Sequence, residues 1–188
     1  SRYWHNRSNL RRRNRFWYSR NYYFALHRCL YVEPYCVTAM LSDHFTLAEA
    51  TYSETAIRMG LNNQPSERQL ANMQASAQQL EKVRDITGAL RVNSWLRLPD
   101  VNVAVGGSKV SSHMDGWAID CSSSSYTPYE LCQLVLKAEI KFDQMIHEYG
   151  RWMHISFAPD MRQQKLTIYK PEGKYKPGIW TEAEYSTN

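Results

Sequence analysis

The stretch "SSHMDGWAID", residues 111–120, holds His113 and Asp120 seven positions apart, and His154 follows later within "RWMHIS". Imidazole nitrogens and a carboxylate oxygen are donors that zinc accepts, and a catalytic zinc keeps three protein ligands with a further position open. His113 falls in a loop, Asp120 in the apolar alternation that the loop enters, and His154 in a later alternating run. If those two runs are sheet neighbours, three ligand heads converge on one point. Taken singly, each residue has a plainer reading, because a lone histidine is ordinarily structural or exposed. Any chemistry rests on the set.

The elements that must position the set are legible in outline. "LSDHFTLAEATYSETAIRMG" has helical patterning in short pieces, with Thr46 as a cap and Gly60 as a stop. "NNQPSERQLANMQASAQQLEKVRDITG" reads as the longest helix: Ser66 caps it, Leu70, Met73, Leu80 and Val83 share one face, and Gly88 closes it. "ALRVNSW" follows as a strand, then "RLPDVNVAVGGSKVSSH" as a loop with at most one short helical turn, made pliant or sharply turned by Gly106 and Gly107. In "GWAIDCS", Ala118 and Asp120 occupy the face opposite Trp117 and Ile119. Thr127 and Pro128 open a second helix, "PYELCQLVLKAEI". "KFDQMIHEY", "RWMHISFA" and "QKLTIYK" complete the strands. Helices first, then strands around one inserted helix, predict an α+β domain with an antiparallel sheet and helices packed on it.

Charge is distributed unevenly. The 188 residues carry a formal net charge of +5, but residues 1–39 hold eight arginines, no lysine and one acid (Glu33), a net +7, while the rest holds 15 bases and 17 acids, a net −2. The first 39 residues are also dense in Trp, Tyr and Phe, and arginines among aromatics suit a phosphate-rich partner, with guanidinium groups on phosphates and rings on bases. The plainer expectation is an accessory extension at 1–39 with a domain over 40–188 beginning near Met40. His27, Arg28 and Glu33 interrupt the stretch after "RRRNR", which argues against a secretory signal. No run of about 18 apolar residues predicts a membrane-spanning helix. Cys29, Cys36, Cys121 and Cys132 form no CxxC pair, so neither a thiolate zinc site nor a disulfide framework is expected, and Cys121 and Cys132 are expected to pack as small hydrophobes.

"SSHMDGWAID" resembles the S-x-H-x-x-G-x-A-x-D signature, and "RWMHIS" the W-x-H signature, of the zinc D-Ala-D-Ala carboxypeptidases and L-alanyl-D-glutamate endopeptidases. This is family fifteen of the metallopeptidases, which includes phage endolysins and bacterial wall-trimming enzymes. "HFTLAEATYSETAIRMGLNNQPS", "RVNSWLRLPDVNVAVGGSKVSSH" and "FDQMIHEYGRWMHISF" are similar to the phage-type branch, so the likeness runs from about residue 43 to 158. It implies a hedgehog/DD-peptidase-like zinc peptidase fold and one Zn2+ held by His113, Asp120 and His154. It implies Arg97 as a fork for a peptide carboxylate or an oxyanion, and it places Ser111 and Trp152 beside the metal or the substrate. Many members keep an acid three residues before the last histidine, where this chain has Arg151. The resemblance to the phage-type branch makes Glu148 the candidate general base instead, with Asp115 and Asp143 as weaker substitutes. "SWLRLP" departs from the family's S-G-Y-R-S-P, putting Trp95 and Leu96 where a glycine and a tyrosine stand and so altering the expected substrate contacts. His44 and His147 match no motif role and are expected to be structural or surface residues.

Three functions of different class follow as expectations. The first is a zinc peptidase, phage or prophage encoded, acting on peptidoglycan stem peptides in the periplasm or wall. The second is a catalytically silent wall-binding module on the same fold. The third is a virion-associated nucleic-acid-binding protein working through residues 1–39.

Overall fold

The computed structural model describes residues 39–187. The basic aromatic segment therefore lies outside the described residues except for Ala39, as do Cys29 and Cys36.

Three N-terminal helices form where the caps predict them. Helix α1 (Leu47–Thr51) starts at a reciprocal box in which Thr46 Oγ1 accepts from the Glu49 amide at 3.1 Å and the Glu49 carboxylate accepts from the Thr46 amide at 2.9 Å. Helix α2 (Glu54–Met59) stops at Gly60, whose φ of 65° ends it in the left-handed region. Helix α3 (Glu67–Thr87) repeats the box with Ser66 and Gln69 and ends at Gly88. Its apolar face carries Met73, Ala77, Leu80 and Val83, all fully buried, with Leu70 partly buried at the margin. The short helix α4 (Pro99–Ala104) is the single helical piece expected before His113. Helix α5 (Pro128–Lys137) opens at Thr127 through a third such box with Glu130.

Six strands make one sheet: β1 (Leu90–Ser94), β2 (Ala118–Ser123), β3 (Gln144–Glu148), β4 (Trp152–Ser156), β5 (Gln164–Ile168) and β6 (Lys176–Pro177), in the order β1-β2-β4-β3-β5-β6. Side chains alternate across it. Ile119, Cys121, Met145, Met153 and Ile155 point to one face and join Met73, Leu80 and Val83 of α3 and Leu131 and Val135 of α5 in a single core. Each such side chain withdrawn from water contributes about 1.5–3 kcal/mol. Cys121 and Cys132 are free thiols in this core, and burial raises both, Cys121 to about 12. A short helix, α6 (Glu182–Thr187), ends the described chain; it and β6 were not foreseen, since two paired residues and six helical ones carry too little periodicity to read. Among the described residues no helix is long and apolar enough to cross a membrane.

The α+β expectation holds, but the expected antiparallel sheet is corrected at one pair. β3 and β5 run parallel, with Gln144 opposite Gln164 and Glu148 opposite Ile168. β4 already bonds to β2 on one side and β3 on the other, so the reversed chain must step across to the free edge of β3, and a second reversal makes the directions agree. The crossing is pinned by Asp143, whose carboxylate accepts from Arg162 Nε at 2.8 Å, Arg162 Nη2 at 2.6 Å and the Arg162 amide at 3.2 Å. Hydrogen bonds from Arg162 hold this buried carboxyl below the usual carboxylate range. Its folded value lies under its unfolded one, so the stabilisation is complete above the unfolded value and is lost as pH falls through the folded one. Arg162→Ala is therefore expected to cost about 1–3 kcal/mol at pH 7. Urea unfolding at several pH values should show that difference shrinking below about pH 4, and a pH-independent difference would remove the carboxylate from the explanation.

Candidate metal centre

The signature loop is tied down before it delivers a ligand. Residues 113–116 lie against α3, where Gln69 Nε2 donates to the Met114 carbonyl at 2.7 Å and Asn72 Nδ2 donates to the Asp115 carbonyl at 2.8 Å. The Trp95 indole N–H donates to the Gly116 carbonyl at 2.9 Å. Gly116 has a φ of 80°, and a Cβ there would stand 2.7 Å from Met73 Cγ and 3.1 Å from the Gln69 carbonyl oxygen. Both the backbone conformation and the close approach of the helix require glycine. Gly116→Ala is expected to lower stability by about 1–3 kcal/mol and to weaken metal binding as the loop shifts. A thermal melt together with a metal titration would check this, and unchanged values in both would show the loop to be tolerant.

Sheet register supplies the other two ligands. Asp120 on β2 is directly opposite His154 on β4. Both project from the face away from the core, as the alternation in the sequence predicts. His113 is wholly buried, and Asp120 and His154 nearly so. His113 Nε2 lies 3.2 Å from Asp120 Oδ1 and 3.2 Å from His154 Nδ1, and His154 Nδ1 lies 2.8 Å from Asp120 Oδ1.

Proton accounting shows what the cluster suits. His113 Nδ1 is 2.6 Å from the Trp95 carbonyl, which only accepts, so Nδ1 carries the proton. Burial, the largest influence, lowers the His113 pKa, which favours the neutral ring. Its Nε2 lone pair then faces a carboxylate oxygen and a second imidazole nitrogen. Burial raises the Asp120 carboxyl, and the facing rings lower it only by offering it a proton; with His113 Nε2 unprotonated, that lone pair and the carboxylate oxygen are left facing each other. Three donor atoms crowd together with at most one ring proton among them, and a cation resolves that conflict. The three residues offer donor atoms that all lie within 4.8 Å of one another, so the set fits a divalent metal. The Trp95 carbonyl is the outer partner that fixes the His113 ring.

Of the other expected residues, some lie beside this centre and others are engaged elsewhere. Glu148 ends β3, and its register partner is Trp152, two residues before His154, so both share the ligand face. Burial pushes the Glu148 carboxyl up to about 7, with the Asp120 charge adding to it and His154 and Arg97 opposing. Arg97 Nη2 is 3.8 Å from Asp120 Oδ2, and its Nε is buried without a partner, as is His154 Nε2. Ser111 Oγ accepts from the His113 amide at 3.4 Å, steadying the loop. Asp115 pairs with Arg68 at the surface and Asp143 with Arg162, so neither carboxylate joins the cluster. His44 pairs with Glu81, and buried His147 lies 2.8 Å through Nδ1 from the Trp180 carbonyl, as residues with structural roles.

Trp95 and Leu96, which stand where the family's glycine and tyrosine do, have buried side chains, 0% and 1% exposed. What Trp95 contributes to the site is its carbonyl, through His113. A backbone carbonyl of this kind leaves no mark on side-chain patterning, and the partners of the Gln69 and Asn72 side-chain amides lie more than 40 residues away, so none of these contacts was foreseen.

The family model described as Peptidase M15 matches residues 43–156, well over half of the chain and inclusive of all three ligand positions. The chain belongs to the peptidase M15 family. M15 peptidases are zinc-dependent metallopeptidases, and the His113–Asp120–His154 set is the metal-capable site of this member. No curated protein matches the chain.

Proposed function

We propose that this M15 peptidase hydrolyses peptide bonds of bacterial peptidoglycan, of the D-Ala-D-Ala carboxypeptidase or L-alanyl-D-glutamate endopeptidase type, on a hedgehog/DD-peptidase-like frame in a phage or prophage setting. The observation that carries the reading is the convergence of His113, Asp120 and His154, with Glu148 on the same sheet face. His113, Asp120 and His154 would hold one Zn2+, and with neutral imidazoles and one carboxylate the filled site would keep a net positive charge. When bound, the ion supplies Lewis acidity that polarises the scissile carbonyl and makes a water acidic near neutral pH.

The protein's own groups do the rest. Trp95 keeps His113 in the Nδ1–H tautomer, so that Nε2 stays free to ligate. Glu148 takes a proton from the attacking water and passes it to the departing amine, a transfer suited to a carboxyl lifted toward neutrality. Arg97 presents a guanidinium fork to a peptide carboxylate or to the developing oxyanion. Its weak contact with Asp120 at 3.8 Å leaves donors uncommitted. Ser111 and Trp152 frame the loop and the ligand face.

The deciding measurement is zinc content of the purified protein alongside amine release from purified peptidoglycan, with and without a chelator. Zinc near one per chain with chelator-sensitive release is the expected result, and mass analysis of the fragments then names the bond. Zinc without release on walls of several chemotypes would point to a silent wall-binding module instead.

A further inference from the structure

Beyond the family-matched residues 43–156, the segment 169–187 builds a support beside the ligand face. Sheet register locates it. Glu148 is opposite Trp152 on one side and Ile168 on the other, and Thr167 is opposite Lys176. One step beyond that last pair, antiparallel progression brings Tyr175 level with Ile168. Tyr175 thus continues the row Trp152–Glu148–Ile168, on the face that carries Asp120 and His154.

The neighbours of Tyr175 are both held. Tyr185, 2% exposed in α6, donates from its hydroxyl to the Lys174 carbonyl at 2.7 Å. Lys176 Nζ donates to the Tyr185 carbonyl at 2.7 Å and lies 4.1 Å over the Tyr185 ring, while also pairing with Glu172 at 3.2 Å. Between these anchors Tyr175 is left 56% exposed. Holding both flanks of a loop while leaving a large aromatic at its centre in water yields little packing energy, but it does preorganise that side chain for a ligand. Its phenol lies within electrostatic reach of Glu148, Tyr149, Asp120 and Arg97; partial burial and then the Glu148, Tyr149 and Asp120 groups raise it, with Arg97 opposing.

We propose that Tyr175 is a substrate-contacting residue of the peptidase site, its phenol O–H donating a hydrogen bond to an oxygen of the peptide laid across the Asp120–His154 row. The assignment rests on the peptidase reading. It gives the groove a wall opposite the His113 loop: Arg97 addresses the bound peptide from the β1 side, and Tyr175 from the β6 side.

The test uses the zinc-loaded full chain and two kinds of probe followed by calorimetry. Acetohydroxamate engages the metal alone, while phosphinate analogues of D-alanyl-D-alanine and L-alanyl-D-glutamate extend along the groove. Tyr175→Phe keeps the ring and removes the donor. Expected is binding of the tighter phosphinate weakened about 5- to 10-fold, with acetohydroxamate unchanged. Equal phosphinate affinity in wild type and variant overturns the role of Tyr175 while leaving the peptidase reading intact. Acetohydroxamate binding without any phosphinate binding to the wild type overturns the peptide groove itself, and with it both readings.

Discussion

Replacing Glu148 by glutamine is expected to lower peptide-bond hydrolysis by about 100-fold or more while one metal ion per chain is retained. The two outcomes separate because Glu148 shares the ligand face without being one of the three clustered donors. Glutamine keeps the side chain's size and can still hydrogen-bond, so the fold and the metal cluster persist, but it cannot take a proton from water. The residual rate then reports what the metal and Arg97 achieve without a base. Metal analysis by mass spectrometry beside a fragment-release assay gives both numbers from one preparation. Near-normal turnover would move the proton transfer to another group, and Asp115 and Asp143 are poor heirs because each is paired elsewhere.

His113→Ala and His154→Ala are each expected to abolish metal retention through dialysis and to bring hydrolysis down to background. Loss of an outer-shell partner alone costs about 10–100-fold in metal affinity, and loss of one of three ligands costs more. His113→Ala carries an added structural penalty: the Trp95 carbonyl loses its partner at 2.6 Å, in a position where no solvent reaches the ring. His154→Ala removes a ligand from the middle of β4 without disturbing backbone pairing, so it is the cleaner variant. Circular dichroism identifies any unfolding. Stoichiometric zinc in both folded variants would falsify the ligand assignment.

Much of this was legible because it is local or periodic. Thr46, Ser66 and Thr127 cap helices through contacts only three residues long, and such caps can be read from the order of residue types. Asp120 and His154 lie on alternating strands, where period two assigns each to a face. The parallel pairing of β3 with β5 could not be read in this way. Alternation says which face a residue occupies and says nothing of which strand lies next door, and a crossing held by Asp143 and Arg162 depends on residues 19 apart in sequence.

The ligand types and their order, and most of the helices and strands that bear them, could be read from the chain, because residue type fixes the donor chemistry and helix and strand periods repeat every two to four residues. It took the folded chain to set Asp120 opposite His154, to put the Trp95 carbonyl on His113 Nδ1, and to lay β6 along β5 on the far side of Glu148. Those relations are made by sheet register and backbone groups, which every residue type shares and which therefore leave no signature in the order of side chains.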